Sequence, residues 1–236
     1  MATLAVVPEG FHPPVEEYLK AIYELEEEGV PVIRARLAER LRHTPPAVTE
    51  MVLRLIADGF IEGDEGSQRS LKMTEQGFRR AESVVRRHRL AERLLIDIIG
   101  LDWNKAHLEA ERWEHVISDE VEPRLVALLH NPETCPHGNP IPGSGAPIEA
   151  FRALSGAQAG QRVRLRRISE CVEIELETLT YLDSHGFRPG TSANVIDKAP
   201  DGTLTLKLES GGDTFAVGPN LAVQLFVDEP DDRQEA

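Results

Sequence analysis

The sequence predicts an α+β chain, mainly α, that starts with a winged helix-turn-helix and ends in a small, mostly β barrel. Three observations carry this. Apolar residues recur at helical spacing over most of the first 129 residues. Two short helical stretches separated by a tight turn are followed by a hairpin pattern, which is the winged helix-turn-helix order. Beyond a segment dense in proline and glycine the texture changes to short alternating runs with turn signals.

The elements follow in order. Pro13 and Pro14 open a first helix, with Glu16 and Glu17 in its first turn and Val15, Tyr18, Leu19, Ile22 and Leu25 as its apolar stripe; Gly29 stops it. A short helix is expected at Ile33–Leu41, a turn at Arg42–Thr44, and a second helix at Pro45–Ala57 capped by Thr44. Phe60–Gly63 and Ser70–Met73 form the expected hairpin. Thr74 caps a long helix, Glu75–Ile99, closed by Gly100. Helices at Asn104–Val116 and Asp119–Leu129 come next, with Pro123 confined to a first turn. Residues 130–147 read as a linker or an extended segment. Strands are expected at Arg162–Ile168, on both sides of the Asp201-Gly202 turn, at Thr214–Val217 and at Val223–Val227, with a helix at Glu173–Ser184. This last region, about 80 residues, has the size of an independent domain. The tail DEPDDRQEA is acidic and expected to be disordered.

Composition narrows the function classes. At 41% hydrophobic residues a core forms without staples, and two distant cysteines, Cys135 and Cys171, are no disulfide framework, which fits a reducing cytosol. The start lacks the basic region of a signal peptide and no run spans a bilayer, so a cytoplasmic protein without a membrane partner is expected. The net charge of −14 argues against nucleic acid unless basic residues are concentrated locally.

They are. Arg34, Arg36, Arg40, Arg42 and Arg54 make the helix-turn-helix locally basic. Thr44, Pro46, Ala47, Thr49 and Glu50 stand at the start of its second helix, where base edges would be read, and Arg69 and Lys72 in the hairpin could follow phosphates. An ordinary three-helix domain with a solvated arginine face, or a protein-docking module, remains the alternative.

In HLEAERWEH, residues 107–115, Glu111, Glu114 and His115 share one helix face at i, i+3 and i+4, with His107 one turn earlier. Such a triplet holds a divalent cation or is simply a solvated face. His88 and Glu92 form an i, i+4 pair, Cys135-Pro136-His137 is a Cys-x-His unit, and Glu17 stands where it would also complement a helix dipole. HExxH spacing is absent, so zinc-protease chemistry is a poor fit and no enzyme activity is expected.

Together the stretches YLKAIYELEEEG, RARLAERL, RSLKMTEQG, RRHRLAERLLIDIIGLDWNKAH, EAERWEHVISDEVEPRL and GNPIPG closely resemble the diphtheria toxin repressor family of iron- and manganese-dependent regulators, from Val15 to Pro142 and more weakly beyond. The resemblance implies a winged helix-turn-helix DNA-binding domain over residues 1–74, a helical dimerisation and metal-binding domain over 75–131, a proline-rich linker over 132–147, an SH3-like domain over 148–228 and an acidic tail over 229–236. It also implies two metal sites. The primary ligands would be Glu17, Glu111, Glu114 and His115; the second site would take His88, Glu92 and His107 with an acid from the barrel, Glu175, joined by Cys135 and His137. Iron-sensing members have methionine and cysteine where this chain has Glu17 and Glu111, and a hard, oxygen-rich set suits Mn²⁺, with Fe²⁺ as the alternative and other divalent transition metals binding in vitro. Manganese-sensing members often carry a second acid where this chain has Lys20. The expected partners are a second copy of the chain and a palindromic double-stranded operator. A winged-helix regulator answering an organic ligand and a metal-dependent hydrolase are the rival readings.

Overall fold

A computed structural model describes residues 14–63, 70–146 and 151–230. The chain divides into two compact units, residues 1–91 with 109–128 and residues 92–108 with 129–236.

In the first unit, α1 (Pro14–Glu27), α2 (Arg34–Leu41) and α3 (Pro45–Ala57) lie within a residue or so of their expected limits. Leu19 and Ile22 of α1, Leu37 of α2 and Val48, Val52 and Leu55 of α3 are fully buried in one core, so each apolar stripe seen in the sequence faces inward. The turn between α2 and α3 closes on Arg42, whose φ of 54° is left-handed, with His43 N donating to Ala38 O. Thr44 caps α3, accepting from Ala47 N. Among the described residues, the base of the wing is an antiparallel bridge between Ile61 and Met73, extended by Glu62 N donating to Lys72 O. The wing tip, Arg69 included, lies outside the described residues.

The start of α4 (Glu75–Arg93) crosses close to that base. Gly77 is required there: a Cβ would fall 2.0 Å from Phe60 O. Instead of running on as α-helix to Ile99, the chain widens into a π-helical turn at Leu94–Ile98, directly after Glu92 and Arg93. A 3-10 turn (Trp103–Lys105) leads into α5 (Ala106–Trp113), shorter than the expected Asn104–Val116, and α6 (Glu122–Leu128) begins late because turn geometry at 118–121 accommodates Pro123.

The second unit is built on six antiparallel strands: β1 (Arg152–Ala153), β2 (Arg162–Ile168), β3 (Ser192–Lys198), β4 (Leu204–Leu208), β5 (Phe215–Val217) and β6 (Leu225–Asp228), in the order β1-β6-β2-β3-β4-β5. Strands β2 and β3 lead into bulges at Leu165/Arg167 and Val195/Asp197, which bend the sheet. Two short helices, α7 (Glu170–Glu173) and α8 (Leu176–Ser184), replace the single helix expected at Glu173–Ser184, and α9 (Pro219–Ala222) precedes β6. Val163, Leu165, Leu179, Leu204, Val217 and Val227 are fully buried, and Trp103 joins the same core.

The proline-rich stretch takes the second of its two expected forms, an extended segment. Cys135, His137, Asn139 and Ile141 are buried at alternate positions, the period of an extended chain. Cys135 N donates to Asn139 O and Ile141 N to Glu133 O, folding the stretch on itself, while Ile168 N donates to His137 O and so fixes it to β2. Gly138, with φ of 90°, lies so close to β2 that a Cβ would fall 1.9 Å from Arg166 O.

Candidate metal centres and nucleic-acid surface

The first cluster joins α1, α4 and the end of α5 within the first unit. Glu114 and His115 leave the last turn of α5, held by Glu114 N donating to Ala110 O. His115 Nδ1 lies 2.6 Å from Glu16 Oε2, and its Nε2 lies 3.2 Å from Glu114 Oε1. The His115 ring thus stands between two carboxylates, Glu16 on Nδ1 and Glu114 on Nε2, and a carboxylate on one ring nitrogen is the kind of partner that orients an imidazole toward a metal ion on the other. Arg80 pairs with the other oxygen of Glu16. Its bond from His115, helped by Arg80 against the penalty of burial, holds the Glu16 carboxyl below the usual range. Glu114 Oε2 accepts from Lys20 Nζ at 2.8 Å and lies 2.6 Å from His88 Nδ1. Burial raises the Glu114 pKa, but Lys20 and His88 overcome it and the net shift is downward. Glu17 and Glu111 are half-buried.

The α1 acid that meets His115 is therefore Glu16, the neighbour of the expected ligand Glu17. Successive helical residues point about 100° apart, so two adjacent glutamates cannot face one imidazole alike, and nothing in the local sequence says which of them faces α5. His88, expected in the second site, also lies 2.6 Å through its Nδ1 from Glu114 Oε2.

The second cluster lies wholly within the second unit. Glu92 comes from the end of α4, His107 from α5, Cys135 and His137 from the folded stretch, and Glu173 from α7. Glu92, His107 and Glu173 each offer a ligand atom within 4.8 Å of one another, as do Glu92, Cys135 and His137. His107 Nδ1 is 3.2 Å from Glu92 Oε1 and 3.1 Å from Glu173 Oε2; His137 Nδ1 is 3.2 Å and 3.0 Å from the same two oxygens. Asn139 Nδ2 donates to Glu173 Oε1 at 2.7 Å, and Trp103 packs against the His137 ring at a tilt, centroids 4.8 Å apart, while its Nε1 donates to Pro136 O.

Both ring nitrogens of His137 are buried; Nδ1 is within ion-pair distance of Glu92 and Glu173, though neither nitrogen has a partner at good hydrogen-bond geometry. Burial would lower its pKa, yet Glu173 and Glu92 raise it well above the ordinary value. Burial, with Glu92's charge adding to it, pushes the Cys135 thiol up to about 12. Imidazoles, a thiol and two carboxylates whose ligand atoms converge in the protein interior fit a divalent cation.

The acid from the C-terminal region is thus Glu173, and not Glu175, which is exposed and accepts from Thr178 Oγ1. Asn139 was missed altogether. The one signal for Glu173 in the sequence is its place in the acid-rich run after β2, and only the α7 turn selects it.

The residues expected to meet nucleic acid at and along α3 are solvent-facing. Thr44, Pro46, Ala47, Thr49, Glu50 and Arg54 are all exposed, whereas Val48 and Val52 are buried. Arg36 is exposed and pairs with Glu39; Arg34 is half-buried. Arg40 is turned inward to Glu24 and Glu28, so it belongs to the α1–α2 contact.

Three family models match the chain: the iron dependent repressor N-terminal DNA binding domain over residues 11–65, the iron dependent repressor metal binding and dimerisation domain over 74–143, and the FeoA domain over 152–229. The diphtheria toxin repressor of Corynebacterium diphtheriae is 47% identical over 200 residues, which cover 81% of this chain and 87% of that protein. The chain belongs to the diphtheria toxin repressor family. Another relative, the iron-dependent repressor IdeR of Mycobacterium tuberculosis, is 43% identical over 202 residues, 81% of this chain and 86% of its own. Among solved structures of similar fold, a manganese-dependent transcriptional repressor in complex with manganese has a TM-score of 0.81 at 30% identity, covering 92% of this chain and all 100% of its own. The manganese regulator SloR has 0.74 at 30%, covering 93% and 100%. The diphtheria toxin repressor family architecture is therefore the one expected: a winged helix-turn-helix, a helical dimerisation domain and a C-terminal SH3-like sheet. No helix among the described residues is long and apolar enough to cross a membrane.

Proposed function

We propose that this chain is a manganese-responsive DNA-binding repressor of metal-uptake genes, acting as a homodimer on a palindromic operator. The observation that carries the reading is the buried meeting of an α1 carboxylate with Glu114 and His115: Glu16 Oε2 lies 2.6 Å from His115 Nδ1 across 99 positions of sequence. Helix α1 packs in one core with α2 and α3, so whatever fixes α1 against α5 also fixes the recognition helix. In a two-fold dimer that sets the separation of two recognition helices, which must meet major grooves about 34 Å apart or a multiple of this. Val116, Val121 and Leu128, exposed on the first unit, supply apolar surface for a second copy.

Glu17, Glu111, Glu114 and His115 would hold the first ion, with Glu16 orienting His115. Three carboxylates and an imidazole favour Mn²⁺, with Fe²⁺ as the alternative. A bound divalent cation supplies the positive charge that cancels repulsion among these carboxylates. Glu92, His107, Cys135, His137 and Glu173 would form the second site and hold α7 and the folded stretch against the ends of α4 and α5. On α3, Thr44, Thr49 and Glu50 would read base edges, with Arg34, Arg36 and Arg54 on phosphates.

The test is selection of binding sites from a random DNA pool with and without Mn²⁺, followed by titration on the selected site. Wild-type protein binds only with metal. His115→Ala needs at least about 100-fold more Mn²⁺, the loss expected for one direct ligand or its orienting partner. A wild-type response retained by His115→Ala means the first cluster is not the sensor.

A further inference from the structure

Lys20 is a buried ammonium beside the Glu114 carboxylate of the first cluster. Its side chain is 10% exposed, and Nζ donates to Glu114 Oε2 at 2.8 Å and lies 3.1 Å from His88 Nδ1. The opposite oxygen of the same carboxylate, Oε1, faces His115 Nε2. Glu114 therefore has a tethered cation on one side and the face that would receive a metal ion on the other. Arg80, the cation on Glu16, is more than half exposed and screened by water, whereas the Lys20 charge is not. A lysine is drawn out of water at this depth only where a fixed anion compensates it, so its charge belongs to the cluster's electrostatics.

We propose that Lys20 is a built-in competitor of the divalent ion: its ammonium neutralises part of Glu114 and so sets the metal concentration at which the first cluster fills. This rests on the reading that the first cluster takes a divalent cation. Without metal, Lys20 offsets the repulsion among Glu16, Glu17, Glu111 and Glu114 and keeps the α1 and α5 acids together. With metal, its fixed positive charge a few ångströms away weakens the ion's attraction to the same carboxylates. It also fills the corner between Glu114 Oε2 and His88, where a second cation would otherwise be drawn.

The experiment is Mn²⁺ binding to the full chain, followed by the paramagnetic resonance signal of free Mn²⁺, on wild type, Lys20→Gln and Lys20→Arg. The first-site phase is defined as the one that His115→Ala abolishes. Metal-free thermal unfolding is recorded alongside. The expected result is a first-site Kd at least about ten-fold lower in Lys20→Gln. Lys20→Arg, which keeps the charge, stays within a few-fold of wild type. The metal-free midpoint of Lys20→Gln falls, and its rise on adding Mn²⁺ exceeds that of wild type. A Lys20→Gln protein that loses metal-free stability but binds Mn²⁺ with unchanged or weaker affinity overturns the proposal, because Lys20 is then only a structural counter-ion. Equal tightening in Lys20→Gln and Lys20→Arg overturns it too, since charge is then not the cause. If wild type shows no His115-dependent phase at all, it is the metal-sensing reading that has failed, and wild type alone reveals this.

Discussion

At the scale of single residues, Glu16 and Gly138 show how much a position depends on what faces it. Glu16 is held ionised by His115 and Arg80, so its folded pKa lies below the ordinary 4.5. A carboxyl depressed on folding contributes stability that is fully present above its unfolded pKa and is lost as pH falls through the folded one. Glu114 shifts in the same direction. The metal-free chain is expected to lose thermal stability as pH drops below about 4.5, and Glu16→Gln is expected to flatten that acid limb. A pH series of melting curves checks this, and parallel limbs for the two proteins would count against the pairing. Gly138→Ala meets both a left-handed φ and the Arg166 carbonyl. Strain and overpacking together are expected to cost about 3 kcal/mol. The variant should unfold at lower denaturant and lose metal at the second cluster before the first, because its backbone carries His137.

At the scale of elements, α1 is more than the first helix of a DNA-binding domain. Besides Glu16 and Lys20, its last residue Glu27 accepts two bonds from Arg89 of α4, at 3.0 Å and 2.6 Å, and Arg89 is fully buried. Breaking one partner of a buried pair costs about 3–5 kcal/mol, so Arg89→Ala is expected to lower the stability of the first unit by that order in equilibrium denaturation. A change under about 1 kcal/mol would mean that water reaches Glu27 readily. Elements were the most legible level. The limits of α1, α2 and α3 followed from apolar spacing, Thr44 and the prolines, because amphipathic stripes and caps act locally. The π turn at Leu94–Ile98 did not, since the same residues satisfy a plain helical period. Nor did the burial of Cys135, His137 and Asn139, because polar residues at alternate positions resemble any proline-rich loop until the strand they pair with is known.

At the scale of the molecule, the described buried residues of the first core run from Tyr18 to Ala81, while the second gathers Trp103 with residues from Leu154 to Val227. A chain ending at residue 146 is therefore expected to keep the winged helix-turn-helix and its metal-free melting transition. It should lose the second cluster through Glu173 and expose Trp103. Mn²⁺ stoichiometry should fall by one per chain, with a red-shifted tryptophan emission; an unchanged stoichiometry would show that Glu173 is no ligand.

The amino-acid sequence alone determined the order of helices and strands, the locally basic recognition face in an acidic chain, the family resemblance and most of the residue types at both clusters. These rest on periodicity, caps and short-range spacing, which are properties of neighbouring residues. Tertiary structure alone decided which of two adjacent glutamates meets His115, that Glu173 rather than Glu175 joins His107 and His137, and that Lys20 is buried against Glu114. Those choices depend on helix rotation and on the packing of elements far apart in the chain, and a one-residue change of register reverses them while leaving every local pattern intact.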